Sequence, residues 1–230
     1  MVTVAVVVIL LTSPTVVVAQ DSEPEPLLPI PQVIVGMGDS LTSGNGANDY
    51  DDRVPECYRS PNSWAAQFAT KMNKDSTFLN RACSKGVFAE VTNVDRLLGR
   101  VRKDLRGNCP IPSSGADDYY VSTARGIPRK CDHFVMPQIL SLDSTVDLVL
   151  FGMGANDLQF LALLQRCFIF AFRDARKCQD QLDYIREYVD TWTQDLADVL
   201  MAMAPLLKPT ARVVVLQFPY LALDVPQSLK

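Results

Sequence analysis

Four short apolar runs punctuate this chain: Gln32–Gly38 (QVIVGMG), Thr77–Ala82 (TFLNRA), Val146–Gly152 (VDLVLFG) and Ala211–Phe218 (ARVVVLQF). Continuous apolar runs of this length, set between chain breakers, are the pattern of strands buried on both faces. The stretches between them carry helical signals. Ser60 and Pro61 suit the cap and first position of a helix, and Trp64, Phe68 and Met72 follow at a spacing that makes one apolar face. Val87–Leu105 reads as a mostly helical return, and the basic stretch Arg100–Arg106 (RVRKDLR) as a solvated helix face. Gln179–Leu207 reads as a long amphipathic helix that turns Leu182, Ile185, Val189, Trp192, Leu196 and Met203 to the core. Trp192 and Met203 at that spacing are packing residues. Gly107–Cys131, rich in Pro, Ser, Gly and Asp, reads as a long surface excursion. Strands alternating with helices predict parallel βαβ units, hence an α/β fold of three layers: a mainly parallel sheet covered by helices on both faces.

The chain has 230 residues, 48% of them hydrophobic, and a formal net charge of −4. That suits a single domain with a sizeable core and offers no basic stripe for nucleic acid. Residues 1–19 read as a secretory signal peptide, cut after Ala19; the break at Thr12–Thr15 disfavours the alternative, a signal anchor. Residues 20–31, acidic and Pro-rich, read as an extended tether, which leaves residues 32–230 for the folded domain. Six cysteines and no C-x-x-C spacing indicate disulfides in an oxidising compartment rather than a zinc site, and a single histidine points the same way. Six cysteines allow 15 pairings, so the connectivity stays open at this level.

In parallel sheets, sites sit where strand C-terminal ends open into loops. Three stretches occupy such places: GDS after the first run, NRACSKG at the end of the second and GMGAND after the third. A dinucleotide fingerprint fails because Leu41 and Asp157 stand where glycines are required, and no phosphate-binding GxxxxGK[ST] occurs. NDYDD (Asn48–Asp52) lacks the spacing of a calcium loop and reads as a solvated turn. A serine at a strand-to-helix corner projects its hydroxyl into the crevice, so Ser40 fits a nucleophile, although Thr42 departs from GxSxG.

GDSLTSGNG, NRACSKG and GMGAND, in that order, together with RSPNSWAAQFA and the cysteine order, resemble the SGNH, or GDSL-type, hydrolases over about Val33–Tyr220. The likeness is greatest to their secreted, disulfide-containing lipase and esterase branch. The resemblance implies a flavodoxin-like sandwich, a monomer, no metal and no cofactor. It implies Ser40 as the nucleophile, Asn156 as a side-chain donor to the oxyanion, and backbone N–H groups of Ser40 and of a glycine in the second block as the other donors. Asp39 would hold the turn. Related lipases read ACSGA where this chain has ACSKG, so either Lys85 supplies the second-block N–H or, after a shift of one residue, Gly86 does; Gly86 is preferred. The implied bridges are Cys57–Cys83, Cys109–Cys131 and Cys167–Cys178.

The family's general base is a histidine three residues after an aspartate, beyond the last strand. QFPYLALDVPQSLK holds Asp224 and no histidine. His133, in KCDHF, lies on the wrong side of Asn156 in chain order and reads as an ordinary loop histidine. The expectation is therefore a C-terminally incomplete SGNH fold whose continuation carries Asp-x-x-His. Its function would be a secreted carboxylic-ester hydrolase acting on a small-molecule ester or an acylated lipid or glycan, with lipid-surface contact. The alternative is a catalytically inactive binding module for lipid or glycan. Phe168, Phe170 and Phe172 could line an acyl pocket, but core packing is the preferred reading.

Overall fold

A computed structural model describes residues 29–102, 109, 111, 116–123 and 130–216. The expected signal peptide, most of the tether, the end of the fourth apolar run and Asp224 lie outside the described residues. The elements in order are β1 (Val33–Gly38), α1 (Ser40–Ser43), α2 (Trp64–Met72), β2 (Thr77–Asn80), α3 (Ala89–Thr92), β3 (Arg96–Arg102), β4 (Asp118–Thr123), β5 (Lys130–Val135), β6 (Leu148–Gly152), α4 (Phe160–Cys167), α5 (Ala175–Met203) and β7 (Arg212–Val215).

All four apolar runs become strands of one parallel sheet, in the order β2-β1-β6-β7. Side chains alternate across β1 and β6, and each face has its own cover. Val35, Met37, Val149 and Phe151 pack with Val199 and Met203 of α5, Val91 of α3, and Ile139. Ile34, Leu148 and Leu150 pack on the other side against Ala65 and Ala69 of α2, with Trp64 and Phe78 flanking. The result is the expected three-layer α/β sandwich.

The helix signal before α2 was misplaced by one turn. Ser63 is the cap, accepting from Ala66 N–H, while the Ser60 hydroxyl donates to the Asn48 carbonyl. The inward face is Ala65, Ala66 and Ala69; Phe68 and Met72 are exposed. Small residues face the sheet because the helix runs close over β1, where there is little room above Gly36. In α5, Trp192, Leu196, Val199, Leu200 and Met203 reach the core, but Val189 is exposed.

The expected helical return over Val87–Leu105 is corrected as well. Only α3 forms, and the chain then enters β3. With β5 and β4 it makes a second, antiparallel sheet in the order β3-β5-β4, part of what was expected to be a surface excursion. Leu and Arg favour helices in isolation, but cross-strand pairing outweighs that preference. Tyr119 stacks on Phe134 across β4 and β5 with ring centroids 5.3 Å apart. Cys57–Cys83, Cys109–Cys131 and Cys167–Cys178 are all bridged, the connectivity that the resemblance implied. Among the described residues no helix is long and apolar enough to cross a membrane.

Candidate active site

Strand β1 ends at Gly38 with a positive φ of 146°, and a Cβ there would lie 2.0 Å from the Gly152 carbonyl oxygen at the end of β6. Only glycine fits. The same residue is clamped by the buried side chain of Gln138, which accepts from Gly38 N–H at 2.7 Å and donates to its carbonyl at 2.9 Å. Cys83 N–H donates to that carbonyl too. Nothing in the sequence pointed to Gln138, because its partner lies 100 residues away and the contact has no periodic signal.

Asp39 then caps the single helical turn α1, accepting from Leu41 N–H at 3.0 Å. Its own N–H donates to Gly152 O, as does the Thr42 hydroxyl. Asp39 is buried, and burial pushes its carboxyl up to about 6, against the Leu41 and Ala155 N–H groups and with help from the charge of Asp157. Its role is to hold the corner, as expected. Ser40 follows as the first residue of α1 and is half-exposed. Among the described residues none is hydrogen-bonded to its hydroxyl.

The second and third blocks are stitched to each other beside that corner. The Asn156 side-chain amide donates to Gly86 O at 2.9 Å. Asp157 accepts from Phe88 N–H at 3.2 Å; burial raises its carboxyl, and the charge of Asp195 adds to that. Phe88 rests against Trp192, whose indole N–H donates to Gly154 O at 2.9 Å. Gly86 lies against Gly38: a Cβ on it would be 3.2 Å from Gly38 O, two residues before Ser40. Ser40, Gly86 and Asn156 thus share the C-terminal edge of the parallel sheet.

The backbone of Gly86 is engaged on both sides. Its N–H is spent inside a tight turn, donating to Cys83 O at 2.9 Å, and its carbonyl serves Asn156. Lys85 is the exposed residue of that turn and has φ 67°. This is the left-handed conformation that glycine adopts most readily.

His133 is not in a loop. It sits in β5, nearly fully buried and stacked on Tyr120 with ring centroids 4.2 Å apart. Nε2 is 2.9 Å from an Asp118 carboxylate oxygen, and Nδ1 is 3.8 Å from Glu56. Its carboxylate partner is the cross-strand Asp118, which sequence proximity could not suggest. A cavity of about 220 Å³ lies nearby, lined by Arg59, Arg81 and Asp117 among others, and Ser40 is not on its wall. Arg59 and Arg81 both engage Asp117 there, at 2.7 and 3.0 Å. Burial pushes the Asp117 carboxyl up, but these two cations outweigh it and hold it below the usual carboxylate range. No cluster of metal-ligating side chains occurs among the described residues.

No family model matches the sequence, and no curated protein matches it. Solved structures do. Phospholipase A1 from Streptomyces albidoflavus shares 23% identity and a TM-score of 0.56 over 82% of this chain. The extracellular lipase from Streptomyces rimosus has the same identity and TM-score over 86% of this chain. The matches take in 60% and 66% of those two chains, so this chain spans less than two thirds of either. What is shared is the fold, an α/β sandwich of the kind those two enzymes possess.

Proposed function

We propose that this protein is a secreted carboxylic-ester hydrolase of the SGNH type that cleaves lipid esters through an acyl-enzyme on Ser40. The observation that carries the reading is the meeting of three blocks at one sheet edge, with the Asn156 amide 2.9 Å from the Gly86 carbonyl beside the Gly38–Ser40 corner. In the first step Ser40 Oγ attacks the ester carbonyl carbon and its proton passes to a base. The C–O bond then breaks, and the alcohol leaves with that proton. Water, deprotonated by the same base, releases the acid and restores Ser40.

The oxyanion formed in each step would be met by the Ser40 N–H, the Lys85 N–H and the second amide hydrogen of Asn156. Each such donor contributes about 10²–10³ in rate. The base in this mechanism would be a histidine; His133, the one histidine of the sequence given, is paired with Asp118 in the antiparallel sheet. Disulfides between all six cysteines suit an extracellular site of action.

The test is labelling of the natural secreted protein by a fluorophosphonate, with the modified peptide identified by mass spectrometry. The label is expected on Ser40 and lost in Ser40→Ala. Labelling that persists in that variant overturns the assignment. A second reading, a binding module without turnover, is favoured by the lack of a proton acceptor for Ser40 among the described residues. It predicts ligand binding with neither label nor ester cleavage in the natural protein.

A further inference from the structure

Helices α4 and α5 form an arm whose tip is apolar, crosslinked and uncovered among the described residues. No residue of α4 is buried, and before Val199 the only buried residue of α5 is Gln181. The first core contact of α5 is Trp192, 17 residues from Ala175, so the tip stands about 25 Å along the helix from the sheet. The turn between the helices carries Phe168, Ile169, Phe170 and Phe172, with exposures of 58, 42, 80 and 66%. The expectation that these phenylalanines pack in the core is therefore wrong.

The tip is nonetheless held rigidly. Cys167–Cys178 ties the two helices, and the Arg166 guanidinium donates to the buried Gln181 side chain at 2.6 Å. Asp174 N–H donates to Arg166 O, and the Asp174 carboxylate caps α5 on Lys177 N–H. A pinned turn that exposes several large apolar side chains together has a partner. Charge identifies it: within a chain of net charge −4, Arg166–Lys177 carries four cations and one carboxylate, and that carboxylate is the cap. Arg173, Arg176 and Lys177 are exposed around the phenylalanines, with Arg173 lying over the Phe170 ring at 4.7 Å.

Aromatic side chains ringed by cations match the boundary of a membrane that bears anionic headgroups, where the rings enter the acyl edge and the cations remain at the phosphates. We infer that the α4–α5 tip docks this protein on an anionic phospholipid surface. The choice of a lipid surface rests on the lipid-ester reading of the site; the docking itself does not use Ser40.

The experiment is co-flotation of the full, disulfide-bonded chain, both wild type and Ser40→Ala, with vesicles of phosphatidylcholine alone or with a third phosphatidylglycerol. Both proteins are expected to float with the anionic vesicles and to be released by high salt. Phe170→Ser with Phe172→Ser should cut partitioning on the order of tenfold or more. Arg173→Glu with Lys177→Glu should abolish the preference for phosphatidylglycerol. Both variants should melt at the wild-type temperature, since none of the four side chains is buried. Equal flotation of wild type and the Phe double variant overturns the inference, as does absence of flotation with any vesicle. Light scattering that shows a dimer dissolved by Phe170→Ser would assign the tip to a second copy instead. Because Ser40→Ala is scored by flotation, failure of the esterase reading and failure of the docking are told apart.

Discussion

The two sheets of this protein are built by opposite means. In the parallel sheet every residue of β6 and nearly every residue of β1 is buried, and two apolar clusters cover its faces. Among the described residues the antiparallel sheet has a small cluster, Val54, Cys57, Cys83 and Val135 with Leu98 beside them. It is held instead by Cys109–Cys131, by the Arg59–Asp117–Arg81 network and by His133 against Asp118, while the Cys57–Cys83 bridge packs with Val135 at the end of β5. A small layer that cannot exclude water from both faces gains little from apolar burial, so crosslinks and buried ion pairs fix its position. The parallel sheet holds the proposed chemistry at its edge; the second sheet braces the block-two loop through Cys83 and through Arg59, which donates to the Ala82 carbonyl.

This contrast can be broken from either side. The largest effect is expected from Gly38→Ala, which forces a Cβ onto Gly152 O at the sheet edge. It should cost about 4 kcal/mol or more; an unchanged urea midpoint would refute the account of the corner. Arg59→Leu removes one of the two cations on Asp117, a buried carboxylate, and should destabilise by about 3 kcal/mol. Its signature is early loss of amide protection in β3, β4 and β5 while β1 and β6 stay protected. Cys57→Ala with Cys83→Ala opens a crosslink across 26 residues and should cost about 2–3 kcal/mol, again felt first in the second sheet. Simultaneous melting of both sheets in the Arg59 and cysteine variants would show that they are one cooperative unit.

The smallest effect has the opposite sign. Asp39 is buried with its carboxyl raised from 3.8 to about 6, so the folded state holds its proton more tightly than the unfolded chain does. This stabilising contribution is complete below about pH 4 and is lost as pH rises through about 6, a loss of about 3 kcal/mol at most. Asp39→Asn keeps an acceptor for Leu41 N–H and carries no charge. It should flatten the stability profile between pH 4 and 6 and raise stability at pH 8 by about 1–2 kcal/mol. A profile identical to wild type would show that Asp39 does not titrate in that window.

The parallel sheet was legible because its two central strands, β1 and β6, are buried on both faces. Burial on both faces demands continuous apolar residues, and VIVGMG and VDLVLFG state that without reference to any partner. The three site blocks were legible for a related reason: each follows such a run, and the C-terminal edge of a parallel sheet is where loops meet. The antiparallel sheet left no such trace, since β3 reads RLLGRVR, a sequence with good helix formers, and its partners in β5 lie 28 to 39 residues away. The same limit hid the Gln138 clamp on Gly38 and the Asp118 partner of His133.

By itself, then, the sequence determined where the buried strands run and which loops follow them, because local apolar pattern reports burial directly. Tertiary structure alone decided which face of α2 meets the sheet, that the Gly86 amide is spent on Cys83 while Lys85 stands exposed, and that the phenylalanines of Phe168–Phe172 project outward. Each of these depends on the distance between segments remote in the chain, and no local pattern of side chains encodes that distance.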